Sequence, residues 1–279
     1  MKVTSVVGAM LLASTAIAAP SKLSEKRAAR RAERTSRRAS GQAKSLRPLA
    51  ANSTSLNDFV QLESTNEANV EYSSNWAGAV VISTGITEVT GKITVPTPKT
   101  PSGGSSREEY AASAWVGIDG DTCETAILQT GVDFLVEGSE VSFDAWYEWY
   151  PDYAYDFDID ISAGDVIVAT VKATSTTAGT ATIENETTGE SVTHTFTNSA
   201  DLGTLCETNA EWIVEDFESG DELVSFANFG TVTFTDAEYI KSGTTYSVTS
   251  SATIIDIEQN EVLTSVSVPS SGEVVVKYE

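Results

Sequence analysis

Beyond Ala68 the chain runs in short stretches rich in Val, Ile, Thr, Trp and Tyr, separated by clusters of Gly, Asp and Ser. That pattern predicts strands. Expected strands are Asn75 to Ser83, Val89 to Val95, Ser113 to Ile118, Thr125 to Asp133, Ser142 to Trp149 and Asp165 to Thr174. Six more follow at Thr180 to Asn185, Ser191 to Thr197, Glu211 to Glu215, Thr231 to Thr235, Ser251 to Ile257 and Glu273 to Tyr278. No stretch there sustains a helical apolar period, and no fixed repeat length recurs. A dozen antiparallel strands joined by short turns have to close their edges. The expected fold is therefore all-β: one antiparallel β-sandwich domain of lectin or glucanase type over residues 69–279.

The chain before Ala68 follows a different pattern. Lys2, the mostly apolar run Val6 to Ile17 and the Ala16-Ile17-Ala18 signal ahead of Pro20 predict a signal peptide over residues 1–19. The apolar run falls short of the roughly 20 residues that a membrane span needs. Residues 20–68 carry Lys26-Arg27, Arg30-Arg31 and Arg37-Arg38 among Ala, Glu and Ser, the composition of a basic propeptide with dibasic processing sites. Up to Ala68 there are eleven basic and five acidic residues, and the body holds six basic against thirty-five acidic. A basic arm thus precedes a very acidic body, on which it could lie as a mask or from which it could hang as a cleavable spacer. The mature protein is expected to be secreted and extracellular.

Charge and composition then narrow the chemistry. Formal net charge is −23, which opposes nucleic-acid binding, and His194 is the only imidazole, which leaves no multi-His metal site. No metal or cofactor is expected. Carboxylates are the abundant groups that titrate below neutrality, so acid/base chemistry here falls to Asp or Glu and to acidic pH. Thirty-five carboxylates cannot all find cations among six basic groups, and crowding raises their pKa values. Cys123 and Cys206 are the only cysteines, and the secretory context favours their pairing. Of the sequons Asn52-Ser53-Thr54 and Asn185-Glu186-Thr187, only Asn185 would remain in the mature chain as a candidate glycan carrier.

Familiar signatures are missing: there is no Asp-Thr-Gly or Asp-Ser-Gly, and Asp156-Phe157-Asp158-Ile159-Asp160 lacks the Gly and the closing Glu of a calcium loop. Four segments say more. They are Ser74-Asn75-Trp76-Ala77-Gly78, the long run from Ala114 through Trp115, Asp119, Cys123 and Gln129 to Asp133, then Asp144 to Pro151, and Cys206 to Glu218. Together these strings resemble the fungal glutamic peptidases, the eqolisins, from about Val70 through the rest of the body.

The resemblance implies a catalytic pair, Gln129 in Ala-Ile-Leu-Gln-Thr-Gly and Glu215 in Trp-Ile-Val-Glu-Asp-Phe. Glu215 would take a proton from the attacking water and return it to the leaving amine, while the Gln129 carboxamide would hydrogen-bond the oxyanion. Glu211 and Glu215 are an even number of residues apart and project from one strand face, so alternation alone does not choose between them. The resemblance chooses Glu215. It also implies Trp76, Trp115, Asp119, Asp144, Trp146 and Glu148 as substrate-binding residues, and Asp144, Trp146 and Glu148 share a strand face by parity.

The implied activity is a pepstatin-insensitive acid endopeptidase acting on protein and peptide substrates, with its own propeptide as a partner, working as a monomer. A departure from some relatives is Ser219-Gly220-Asp221, where they carry a further disulfide. The alternative is a secreted glycan-binding or glycan-hydrolysing sandwich using Glu148 and Glu215.

Overall fold

The computed structural model describes residues 43–44, 70–219 and 222–279. The leader over 1–19, the three dibasic pairs and the Asn52 sequon lie outside these residues. Strands follow one another as β1 (Ala43–Lys44), β2 (Val70–Ser73), β3 (Trp76–Ile82), β4 (Ile86–Thr94), β5 (Glu109–Ile118), β6 (Ile127–Glu137) and β7 (Glu140–Tyr150). Next come β8 (Tyr155–Asp156), β9 (Val166–Ser175), β10 (Ala178–Asn185), β11 (Glu190–Phe196), β12 (Asn209–Glu215), β13 (Glu218–Ser219) and β14 (Glu222–Leu223). The chain ends with β15 (Thr231–Lys241), β16 (Thr244–Ser247), β17 (Thr253–Ile257), β18 (Thr264–Ser267) and β19 (Val274–Tyr278). There is no helix among the described residues. All twelve expected strands are present; the additional ones are two to four residues long, too short for alternation to register.

Two eight-stranded sheets form the sandwich. One has the order β2-β17-β3-β12-β5-β6-β7-β8; the other runs β11-β10-β9-β4-β15-β19-β18, with β16 paired to β15. Pairing is antiparallel except between β2 and β17, which run parallel. The short strands β1, β13 and β14 form a small third sheet beside the end of β12.

Alternation sorts each strand of the first sheet between two environments. On β12, Ala210, Trp212 and Val214 enter the main core between the sheets, together with Val116, Leu128, Val132 and Phe134 from β5 and β6. Trp212 spans the layers, donating its indole N–H to the Thr90 carbonyl of β4 at 2.8 Å. The opposite face of this sheet is also buried: Trp76, Trp115, Trp146, Ile127, Ile213 and Ile255 form a second cluster. A face buried away from the main core, yet rich in carboxyl groups, needs a reason beyond packing.

Two loops are anchored by chemistry that the strand pattern does not reveal. The Cys123–Cys206 disulfide is formed, joining the segment after β5 to the one before β12 across 83 residues. Asn185, the candidate glycan carrier, closes β10. Its side chain is fully buried, its amide donates to Asp165 Oδ2 at 2.9 Å, and its oxygen accepts from the Thr187 and Thr188 N–H groups. An attached sugar would have to displace that turn, because the nitrogen that would carry it is buried in the fold.

Candidate active site

The outward face of the first sheet is a lattice set by strand register. Across β3, β12, β5, β6 and β7 one row reads Trp76, Glu215, Ser113, Asp133, Asp144. The next reads Gly78, Ile213, Trp115, Gly131, Trp146, and the third Val80, Glu211, Gly117, Gln129, Glu148. Seven of the eight expected site residues, all but Asp119, therefore share this one face. Glycines in the second and third rows make room for Trp115. A Cβ on Gly131 would stand 2.5 Å from Trp115 Cβ, and one on Gly117 2.8 Å from Trp115 Cζ3.

Glu215 is completely buried and held by two donors: Trp115 Nε1 reaches its Oε2 at 2.8 Å and Asn75 Nδ2 its Oε1 at 3.5 Å. Trp115 is braced in turn by an edge-to-face contact with Trp76, centroids 4.8 Å apart. Two strands and two rows away, Gln129 donates from Nε2 to Glu148 Oε2 at 3.2 Å, while its Oε1 is buried with no partner among the described residues. Trp76 Nε1 likewise has none. Trp146 donates to Ser113 Oγ at 3.1 Å, and Asp133 faces Asp144 across the strands. The face thus offers Glu215 oriented by two N–H donors among four further carboxyl side chains, the Gln129 carboxamide, and aromatic walls.

Asp119 lies elsewhere. β5 ends at Ile118, and Asp119 takes a positive φ of 66° that turns its side chain toward the segment before β12. Its carboxylate accepts the N–H groups of Cys206, Glu207, Thr208 and Asn209 at 2.7–3.1 Å, and the Thr208 hydroxyl. These five bonds occupy both oxygens and organise the loop beside the disulfide. Parity with Trp115 would place Asp119 on the lattice, but alternation lapses where the strand stops.

Burial tunes the neighbouring carboxyls. Glu211 is pushed well above the ordinary range by desolvation, then by the charges of Asp121 and Asp119, against a hydrogen bond from the Asp121 N–H. Asp216, beside Glu215 in sequence, is raised to about 7 by burial, opposed by a hydrogen bond from Gln259. Sequence reasoning assigned no role to Asn75, Ser113 or Asp216. Asn75 and Asp216 flank Trp76 and Glu215 inside the quoted strings, so adjacency was the available signal, whereas strand parity pointed away from the face.

A two-sheet sandwich with a buried glutamate and glutamine on one face fits the glutamic-type peptidases. Residues 74–278 match the Peptidase A4 family, and the chain belongs to that family, the eqolisins, as a hydrolase of peptide bonds. It is 55% identical to Aspergillopepsin-2 of Aspergillus niger over the whole of both chains. It is 47% identical to Scytalidopepsin B of Scytalidium lignicola over 72% of this chain and 76% of that one. Among solved structures, scytalido-glutamic peptidase with a transition state analog inhibitor superposes at a TM-score of 0.66 with 44% identity, covering 74% of this chain and 98% of the other. Aspergilloglutamic peptidase from Aspergillus niger gives 0.59 and 66% identity over 61% and 99%. Membership decides for peptide bonds over the glycan alternative.

Proposed function

We propose that the protein is a secreted acid endopeptidase in which Glu215 is the general base and acid and Gln129 stabilises the oxyanion. The observation that carries this reading is the buried Glu215 carboxyl, oriented by two N–H donors, on the same face as a glutamine carboxamide whose nitrogen has a second N–H besides the one given to Glu148. An extended peptide lies across the lattice between the two. Glu215 takes a proton from water as the water oxygen bonds the scissile carbonyl carbon. The Gln129 N–H group bonds the developing oxyanion, a contribution of about 3 kcal/mol. The C–N bond then breaks as Glu215 returns the proton to the departing amine, so no covalent intermediate forms.

Trp76, Trp115, Asp144, Trp146 and Glu148 shape the groove in this reading, Glu148 by orienting the Gln129 amide. Asp119 supports it only through the loop it organises. The leader pattern supports secretion, and the self-repelling acidic body supports a monomer. The basic pro-segment is its intramolecular partner: Ala43–Lys44 pair antiparallel with Glu218–Ser219, just beyond Glu215.

The test is cleavage of a denatured protein at about pH 3 by the matured chain, with and without pepstatin. Wild-type cleavage persists with pepstatin. Glu215→Gln abolishes it, and Gln129→Ala lowers kcat by roughly 10²–10³-fold. Full activity in Glu215→Gln would refute the assignment.

A further inference from the structure

Three chain segments meet behind Glu215, and one side chain ties them together. Gln259, in the turn between β17 and β18, donates from its single Nε2 amide to two acceptors, Asp216 Oδ2 at 2.8 Å and the Ser74 carbonyl at 3.0 Å. Asp216 follows Glu215, and Ser74 precedes Asn75, the residue whose amide reaches Glu215 Oε1. The two flanks are also joined directly, because the Asp216 N–H donates to the Asn75 carbonyl at 2.9 Å. Around the turn, Ser73 Oγ donates to Asn75 Oδ1 and accepts the Asn75 and Trp76 N–H groups, and the Glu258 N–H reaches the Ser73 carbonyl.

The Asn75 contact to Glu215 is at 3.5 Å, the outer edge of hydrogen-bonding distance. A displacement of a few tenths of an ångström in the 73–76 turn therefore decides whether that bond is made. We propose that Gln259 and Asp216 are positioning residues for the peptidase reaction: their clasp sets the place of Asn75 and so the orientation of the Glu215 carboxyl, without either touching substrate. This rests on the reading of Glu215 as general base.

The chemistry of the clasp is specific. A primary amide brings two N–H groups on one nitrogen, one for each acceptor, and the Gln length is needed to reach both. Met keeps the length and volume but donates nothing. Asn at position 216 keeps a side-chain oxygen for Gln259 to bond.

The test uses the full chain matured in acid and an internally quenched peptide that the wild type cleaves, with kcat and KM measured at pH 3.5 beside near-ultraviolet circular dichroism. Gln259→Met is expected to lower kcat 10- to 100-fold with KM changed less than threefold and a native spectrum. Asp216→Leu should do the same, the double variant should lose no more than either single one, and Asp216→Asn should lose less than threefold. A Gln259→Met enzyme within threefold of wild-type kcat, or a loss residing in KM, overturns the proposal. So does a loss of activity that tracks a loss of native spectrum in Gln259→Met and Asp216→Leu alike. Glu215→Gln run in parallel separates the two ideas: if it stays active, the general-base reading has failed, whatever the clasp does.

Discussion

Trp115 shows how one side chain serves several demands at the residue scale. Its N–H orients Glu215, its ring packs on Trp76, and its far edge crosses the Cβ-free space of Gly117. Trp115→Phe keeps an aromatic ring and removes the donor. With Glu215 ionised as the general base of the proposed mechanism, that hydrogen bond is worth about 1.5–3 kcal/mol, so kcat should fall roughly 10- to 100-fold in steady-state assays at pH 3–4. Gly117→Ala should lower kcat in the same direction, because its Cβ would stand 2.8 Å from Trp115 Cζ3 and the indole must move off Glu215. These effects were only half legible in the sequence. The motif strings singled out Trp115, but which atom of the carboxyl it serves depends on a neighbour 100 residues away.

At the scale of elements, the lattice depends on holding β12 in register between β3 and β5, and the loop before β12 is where that register is set. Asp119 and the disulfide secure it together. Asp119→Ala would leave four backbone N–H groups without their carboxylate, at roughly 1–3 kcal/mol for each one that stays buried. The expected loss is about 3–5 kcal/mol, read from urea denaturation at pH 4. Replacing both cysteines by serine should cost about 4–5 kcal/mol on the chain-entropy account of an 83-residue loop, read in the same way. Long strands with clear composition were visible in the sequence, whereas β2, β8 and β16 were not, since two to four residues carry no measurable period.

For the molecule as a whole, acidity is built into stability. Asp216 is 2% exposed and raised to about 7, Asp256 is raised to about 6 by burial, and Glu211 is raised further than an ordinary carboxyl by burial and negative neighbours. A carboxyl whose folded pKa exceeds its unfolded value stabilises the fold below about pH 4 and loses that contribution as pH climbs through the folded value. For Asp216 the loss is about 3 kcal/mol between pH 4 and pH 7. The melting temperature should fall over that window, and Asp216→Asn should melt higher than wild type at pH 7 but not at pH 3. A wild-type melting temperature that rose steadily from pH 3 to pH 8 would contradict this. The basic segment 21–68, added in trans to the mature enzyme, should slow cleavage if the Ala43–Lys44 pairing beside Glu215 masks the groove. Unchanged activity would make the segment a spacer.

Local sequence was enough for the all-β class, the twelve longer strands and the division into basic arm and acidic body, and the motif strings, through the family resemblance, for seven residues of the candidate face. Each of these is carried by neighbours along the chain: period-two alternation, local charge, and contiguous motif strings. Tertiary structure alone decided that Asp119 faces a loop and not the groove, that Asn185 is buried, and that Asn75, Asp216 and Gln259 stand behind Glu215. Those facts depend on where strands end and on which distant segments cross. A residue outside a strand has no period to report its direction, and a hydrogen bond spanning 140 residues leaves no local trace.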